Sequence, residues 1–451
     1  MKRYHGIEPA FDDGNLVASV GVVPLIELAE QAGLSALIDA HLTLPQSNVA
    51  AKARTVIAGM AAGADSIDDL DILRSGGTWA LVEGVRAPST IGSFLRSVTN
   101  GGHIEQFGKV NRMLLGELAR GIPRLVDQRN DLVFIDIDDT IKEVHGHKKQ
   151  GAGFGYTKVR GLNAMITTAS TTTSHPVITD ASLRRGPTRS GHGAARQISR
   201  AITTVRRLSP EDRHIWVRGD SAFCTHENVA AAMRAGAWFS FTIQHWPNVT
   251  AAIAAIPEDA WTPIKYPKAV IDEETGQWIS EAEVAEIPFT AFVSRKAHEQ
   301  VDCRLVVRRV VRKNKDAAAG QGELFTDYRH HAFITNAPFN TVDADAKHRG
   351  HAIVEQVIAE LKDGPIAHLP SGNFHANALW LMLAIITFNV MRAAAHAAHL
   401  PNARIESVRR KIVNIPGRIA HTARTIRLHL PRFWPWALGW EDIWDSVAGW
   451  T

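Results

Sequence analysis

Three acidic residues sit where a catalytic carboxylate would want to be. Asp138 closes a hydrophobic run in VFIDIDDT, Asp220 follows a second short run in IWVRGDSAF, and Glu355 falls inside HRGHAIVEQVIAELK. A strand end holds the backbone rigid while its side chain meets solvent, so it positions reacting groups well. Three carboxylates without a thiolate suit a hard cation such as Mg²⁺ or Mn²⁺. Two such ions about 3.5–4 Å apart serve both oxygens of a phosphoryl transfer, one activating the attacking oxygen and the other stabilising the leaving one. Singly, each acid has a plainer explanation. An Asp at a strand end often just makes a turn, a helical Glu is usually solvated, and Asp220 beside Arg218 is a possible ion pair. Their order and placement together carry the expectation.

The spacing around Glu355 adds detail. His348, His351, Glu355 and Lys362 are separated by three, four and seven residues, which puts them on one face of a continuous helix. Ile353, Val354, Val357, Ile358 and Leu361 form a separate, core-facing stripe. The polar face offers two imidazoles, a carboxylate and an ammonium, a set able to bind a metal ion and phosphates together. Near the first acid, Asp136 points to the same side of its strand as Asp138 by alternation, so either could serve. Asp136-Ile-Asp138-Asp139-Thr140 also fits the Asp-x-Asp-x-Thr pattern of haloacid-dehalogenase-like phosphatases, where Asp136 would be the nucleophile. The only later Gly-Asp segment, GDSAFCTHE, lacks the second Asp that such enzymes need.

The elements that must hold these residues follow from the periodicities. Residues 1 to about 100 read as mainly helical: Val23 to Leu34, Val49 to Ala62, a start at Ser66, and a short helix capped near Ser89-Thr90 that carries Ile91, Phe94 and Leu95. From Asp131 strands and helices alternate. LVFIDID, Ala164 to Ser170, Ile215 to Val217 and Trp238 to Ile243 read as strands; Ala194 to Leu208 and Asn228 to Ala235 read as helices. HGHKKQGAGFGYTKVRG, rich in glycine, separates the first two strands. Residues 245–335 are strand-rich and read as an inserted β module. Ala344 to Lys362 and Asn377 to Ala398 read as helices. The expected architecture is mixed α/β: a helical N-terminal domain (1–105), a core in two parts (106–244 and 336–400) interrupted by the β-rich insertion (245–335), and a basic C-terminal segment (401–451).

Composition limits the functional class. At 451 residues, 45% hydrophobic and 21% charged, the chain is globular with more than one domain expected. Two cysteines exclude a disulfide framework and suit a reducing cytoplasm. The start lacks the apolar stretch of a signal peptide, and the run Ala378–Phe388 is too short to span a bilayer, so no membrane partner is expected. Net charge is only +4 but clustered. Eight Lys or Arg lie between Arg404 and Arg432, nine Arg between Arg184 and Arg218, and six basic residues between Arg304 and Lys315. Three basic zones in a chain of pI near 9.1 point to a long polyanion.

With these strings in place, the chain resembles bacterial insertion-sequence transposases with a DDE active site, most nearly the insertion-sequence 1380 family. The resemblance rests on APSTIGSFLRS, DIDDT, GYTKVRGLNA, LRRGPTRSGHGA, VRGDSAF, YRHHAFITN and HRGHAIVEQVIAELKDGPIAHLPSGNFHANALWL together. It implies a ribonuclease-H-like catalytic domain interrupted by the β-rich insertion, and two Mg²⁺ or Mn²⁺ ions on Asp138, Asp220 and Glu355. It also implies a dimer on double-stranded DNA bearing terminal inverted repeats, with target DNA as second substrate. Water would release a 3′-hydroxyl at the element end, and that hydroxyl would attack target DNA. Related transposases carry the third acid in a Tyr-x2-Arg-x3-Glu-x6-Lys helix. Here Glu355 and Lys362 match while His348 and His351 replace Tyr and Arg, giving weaker and pH-dependent phosphate contacts. Arg218 and Arg349 are further expected DNA contacts. The insertion explains the 135 residues between Asp220 and Glu355, against 82 between the first two acids. Trp278, or Trp261, is the expected aromatic that stacks on a flipped base, unless both are β-core residues. An inert DNA-binding remnant, and a nuclease that does not join strands, would share most of these features.

Overall fold

The computed structural model describes residues 8–448 apart from 128, 130, 147, 156, 209–212, 265–281, 312–327 and 422–424. The N-terminal part is helical: α1 (Val22–Gln31), α2 (Leu34–His41), α3 (Val49–Ala62), α4 (Pro88–Ser97) and α5 (Gly101–Gly121). Pro88 opens α4 at its first turn, where a missing N–H costs nothing. Asn100 caps α5 by accepting from the backbone N–H groups of Gly102 and His103. The sheet and its helices follow: β1 (Leu132–Glu143), β2 (Arg160–Ser170), β3 (Val177–Arg185), α6 (Ala194–Leu208), β4 (His214–Gly219), α7 (His226–Arg234), β5 (Trp238–Thr242), β6 (Ala282–Ala291), β7 (Val301–Val311) and β8 (Tyr328–Thr335). Last come α8 (Thr341–Arg349), α9 (Ile353–Lys362), α10 (Phe374–Ala397) and α11 (Ala437–Ala448).

The fold is mixed α/β around one large mixed sheet of ten strands. β1 lies at its centre, antiparallel to β2 and parallel to β4. β3 pairs with β2, and β5 continues parallel to β4, so the first five strands lie in the order β3-β2-β1-β4-β5. The strand-rich segment does not stand apart as a β module. β8 pairs antiparallel with β5, and β7 and β6 continue outward, so these strands widen the same sheet. Alternation along β1 sends Val133, Ile135, Ile137 and Asp139 to one face and Phe134, Asp136, Asp138 and Thr140 to the other. α6 covers the first face and α9 the second.

The two ends of the chain share that core. α10 packs against α1, α3, α4, α5 and β3. By length and composition it could cross a membrane, but all of its apolar window is buried inside the protein. One hydrophobic cluster runs from Val17 to Val447 and includes Ile405, Val408, Ile412, Ile415 and Ile419. Residues 16–17 pair with 417–418 in a small separate sheet, and α11 packs on α1. The N-terminal helices and the basic C-terminal segment, expected to be separate units, are therefore joined through α10.

Candidate active site

The parallel register of β1 and β4 builds the centre. Asp136 lies opposite Arg218 and Ile137 opposite Gly219. One step further, Asp138 meets Asp220, where β4 ends and the chain turns into a short 3₁₀ segment. Parallel strands are about 4.8 Å apart, so the two carboxylates stand side by side where β4 ends; Asp138, expected to close its strand, lies instead within β1, which runs on to Glu143 still paired with β2. Both line a groove of about 1120 Å³. Asp220 caps the segment after it by accepting from Ala222 N–H at 2.9 Å.

The electrostatics match this crowding. Burial, with added repulsion from Asp220 and Asp139, pushes Asp138 up to about 7, although the Asp139 N–H and His351 act the other way. Burial also raises Asp220, with Asp139 adding to it. Two carboxylates held where each disfavours the other's charge fit a site completed by a cation.

Asp136 is set apart from this pair. It is wholly buried, and Arg218 grips it with two hydrogen bonds of 2.6 and 2.7 Å. Burial alone would raise its pKa, but Arg218 and His351 hold it below the usual carboxylate range. The ambiguity left open by strand alternation is thereby given different environments: Asp136 faces an internal guanidinium, Asp138 the groove. Arg218, expected to contact DNA, is itself 3% exposed, stacks over Phe134 at 4.0 Å and donates to the carbonyl of Lys347. It is an internal strut.

That strut breaks the predicted Ala344–Lys362 helix. α8 ends at Arg349, a 3₁₀ turn covers Gly350–Ala352, and α9 begins at Ile353. A Cβ at position 350 would come within 2.9 Å of the Arg218 guanidinium, so glycine is needed for this approach. The break takes His348 off the face it was expected to share. Its ring is stacked on Phe333 at 4.1 Å and bonded to Ser240 Oγ (2.8 Å) and Thr242 Oγ1 (3.1 Å), and burial lowers its pKa well below the usual value. It is a core histidine, not a phosphate contact. Arg349 pairs back to Asp345 at 2.8 Å.

α9 runs alongside β1 in the same direction. His351 Nδ1 lies 3.3 Å from Asp136 Oδ1, and Lys362 Nζ lies 3.5 Å from Thr140 Oγ1. Glu355 is two turns before Lys362 and on its face, roughly 10.5 Å back along the axis. Asp138 and Asp136 are roughly 7 and 13 Å back from Thr140 along the strand. Glu355 is therefore level with the acids of β1. Its side chain is exposed, and among the described residues no three His, Cys, Asp or Glu groups are drawn together as a closed metal cage. Asp138 and Asp220 both line the groove, whereas Glu355 is exposed on α9 and is not part of that lining.

Sequence reasoning missed the residues that frame the groove. Asp139, next to Asp138 but facing α6, accepts from Arg184 and from Asn163 (2.7 Å) and Ser190 (3.0 Å). Arg184 and Ser190 lie in LRRGPTRSGHGA, Asn163 in GYTKVRGLNA and Asp139 in DIDDT, strings quoted for the resemblance without a role for these residues. Trp261 is buried against Arg309 at 4.2 Å, as a β-core tryptophan. Trp278 lies outside the described residues.

No curated protein matches the chain. Among solved structures, the cryo-electron-microscopy structure of a piggyBac transposase synaptic complex with hairpin DNA aligns with 86% of this chain and 76% of that one, at 9% identity and a TM-score of 0.41. A family model described as the transposase DDE domain, group 1, matches residues 1–448. The chain accordingly belongs to the DDE-domain transposases of group 1.

Proposed function

We propose that the chain cuts DNA at the ends of a mobile element and joins the released 3′-hydroxyl to target DNA. Within its family we place it in the insertion-sequence 1380 group, of bacterial origin, and read β1–β5 as a ribonuclease-H-like core. The observation that supports the reading is the side-by-side placement of Asp138 and Asp220 in one groove where β4 ends, both raised in pKa. Asp138, Asp220 and an inward-turned Glu355 would hold two Mg²⁺ or Mn²⁺ ions. When bound, the ions would supply an activated oxygen nucleophile and charge stabilisation at the phosphate. Asp136 and Arg218 keep β1 and β4 in register, and Lys362 offers a cation beside Thr140 for the DNA backbone. The phosphatase alternative needs Asp136 as an exposed nucleophile; its burial under Arg218 supports the transposase reading instead.

The test uses DNA bearing the inverted repeats that flank the coding sequence, with Mg²⁺. Wild-type protein is expected to nick the repeat ends and give joined products. Asp138→Asn, Asp220→Asn and Glu355→Gln are each expected to bind the ends without nicking. Full nicking by Asp220→Asn would sink the assignment, and binding without nicking by the wild type would favour an inert remnant.

A further inference from the structure

The groove beside Asp138 and Asp220 has two more walls that the chemistry above does not use. One is the loop between β3 and α6, residues 186–193. The other is the short strand Gly153–Phe154. Both are held rigidly. Arg184 donates through Nη1 to the carbonyls of Ser190 and His192 at 2.8 Å each, and through Nη2 to Asp139 and to Asn163 Oδ1 (2.7 Å). One buried guanidinium thus ties the loop to the residue next to Asp138. At the loop's start, Gly186 N–H donates to Gly151 carbonyl at 3.0 Å. A Cβ at 186 would lie 2.3 Å from the carbonyl oxygens of both Gly153 and Gly161. The glycine-rich stretch therefore lets loop and strand touch backbone to backbone.

What these rigid walls present outward is basic and aromatic. Phe154 is 68% exposed and lines the groove. Arg189, His192 and Arg196 are exposed along the same groove. Among the described residues, neither the Arg189 guanidinium nor the His192 ring has a partner; Arg196 has only a long, solvent-exposed pair with Glu105 at 3.4 Å. An exposed ring beside one unpaired and one loosely paired, solvent-exposed guanidinium suits a strand whose bases are splayed from a duplex, since bases stack on aromatics while phosphates take the cations.

We propose that residues 153–154 and 186–196 form a single-strand grip, with Phe154 stacking on an unpaired base and Arg189 and Arg196 holding the adjoining phosphates. The proposal rests on the reading of the groove as the DNA-cleaving centre. Arg184 and Asp139 are its positioning residues.

The test measures binding of the full chain to a mixed-sequence DNA duplex with a single-stranded 3′ extension carrying 2-aminopurine, in EDTA. Without metal, failure of the metal-centre assignment and failure of the grip remain distinguishable. Wild-type protein is expected to quench the 2-aminopurine on binding. Phe154→Ala is expected to lose the quenching and bind the extension on the order of tenfold more weakly. Arg189→Ser with Arg196→Ser, both at exposed positions, is expected to lower the slope of log affinity against log salt by about 1.4. Arg184→Lys is expected to weaken binding while blunt-duplex binding stays unchanged. Quenching retained in Phe154→Ala, or a salt slope equal to wild type in the double variant, would overturn the grip.

Discussion

Arg218 holds Asp136 through two parallel hydrogen bonds between adjacent parallel strands, and this pair is as buried as any ion pair among the described residues. Removing one partner of such a pair leaves an uncompensated internal charge, which costs about 3–5 kcal/mol. Asp136→Ala is expected to lose stability on that scale in urea unfolding, through the fold and not through the chemistry. Asp138→Ala, two residues along the same face, is expected to unfold like wild type or later. Equal midpoints for Asp136→Ala and wild type would contradict the strut.

The raised pKa of Asp138 makes stability depend on pH and metal. Its folded value of about 7 lies above the unfolded value near ~3.9. The stabilisation from a protonated Asp138 is therefore fully present below about pH 4 and is lost as pH rises through 7. In EDTA, Asp138→Asn is expected to gain thermal stability over wild type as pH goes from 5 to 8. At pH 8, Mg²⁺ is expected to restore the wild type and leave the variant unmoved. Parallel pH profiles for the two proteins would disprove the crowding of the acids.

His396 works in the opposite direction. Burial, helped by Arg392, lowers it to about 4, below the unfolded value near ~6.5. Its contribution is present above pH 6.5 and is lost as pH falls through 4. His348, also lowered by burial, adds to the same acid limb. His396→Leu is expected to flatten the loss of stability between pH 6.5 and 4 that wild type shows once the Asp138 contribution is removed by Asp138→Asn. An unchanged acid limb in His396→Leu would count against it.

Replacing His348 separates core from DNA contact. His348→Ala strips both Ser240 and Thr242 of a buried partner, at about 1–3 kcal/mol. The slope of DNA affinity against salt is expected to stay at the wild-type value, since no phosphate contact is lost. A slope lowered by His348→Ala with stability intact would return the residue to the DNA-binding face.

Much of this was legible in the residues. The hydrophobic runs of β1 and β4, the matched ends of α3 and α6, and the burial of α10 follow from local pattern, because packing and periodicity agree there. β3 was not legible: its VITDASLRR carries Asp180, which is buried only because Arg112 and Arg200 reach it from α5 and α6. The helix break at Gly350 was hidden for the same kind of reason, since Arg218 comes from 132 residues earlier to occupy the space. The joining of the late strands to the main sheet was likewise hidden, because a strand's partner is not written in its alternation. At the site, the acids were readable as types, but only the fold separates Asp136 from Asp138.

The C-terminal basic stretch shows how placement alters an experiment. Deleting Arg404 to Thr451 would remove Ile405, Val408, Ile412, Ile415 and Ile419 from the core, along with the pairing of residues 417–418 to 16–17. The truncated chain is expected to be insoluble, so lost DNA binding would say nothing about charge. Arg410, Arg427 and Arg432 are exposed around that core. Replacing all three with serine is expected to leave the melting temperature unchanged, because surface substitutions rarely move stability by more than about 0.5 kcal/mol. If the face contacts DNA, each lost phosphate contact lowers the slope of log affinity against log salt by about 0.9, so the triple variant is expected to fall by up to about 2.7 on duplex DNA. A folded triple variant with the wild-type slope would remove this face from the DNA interface.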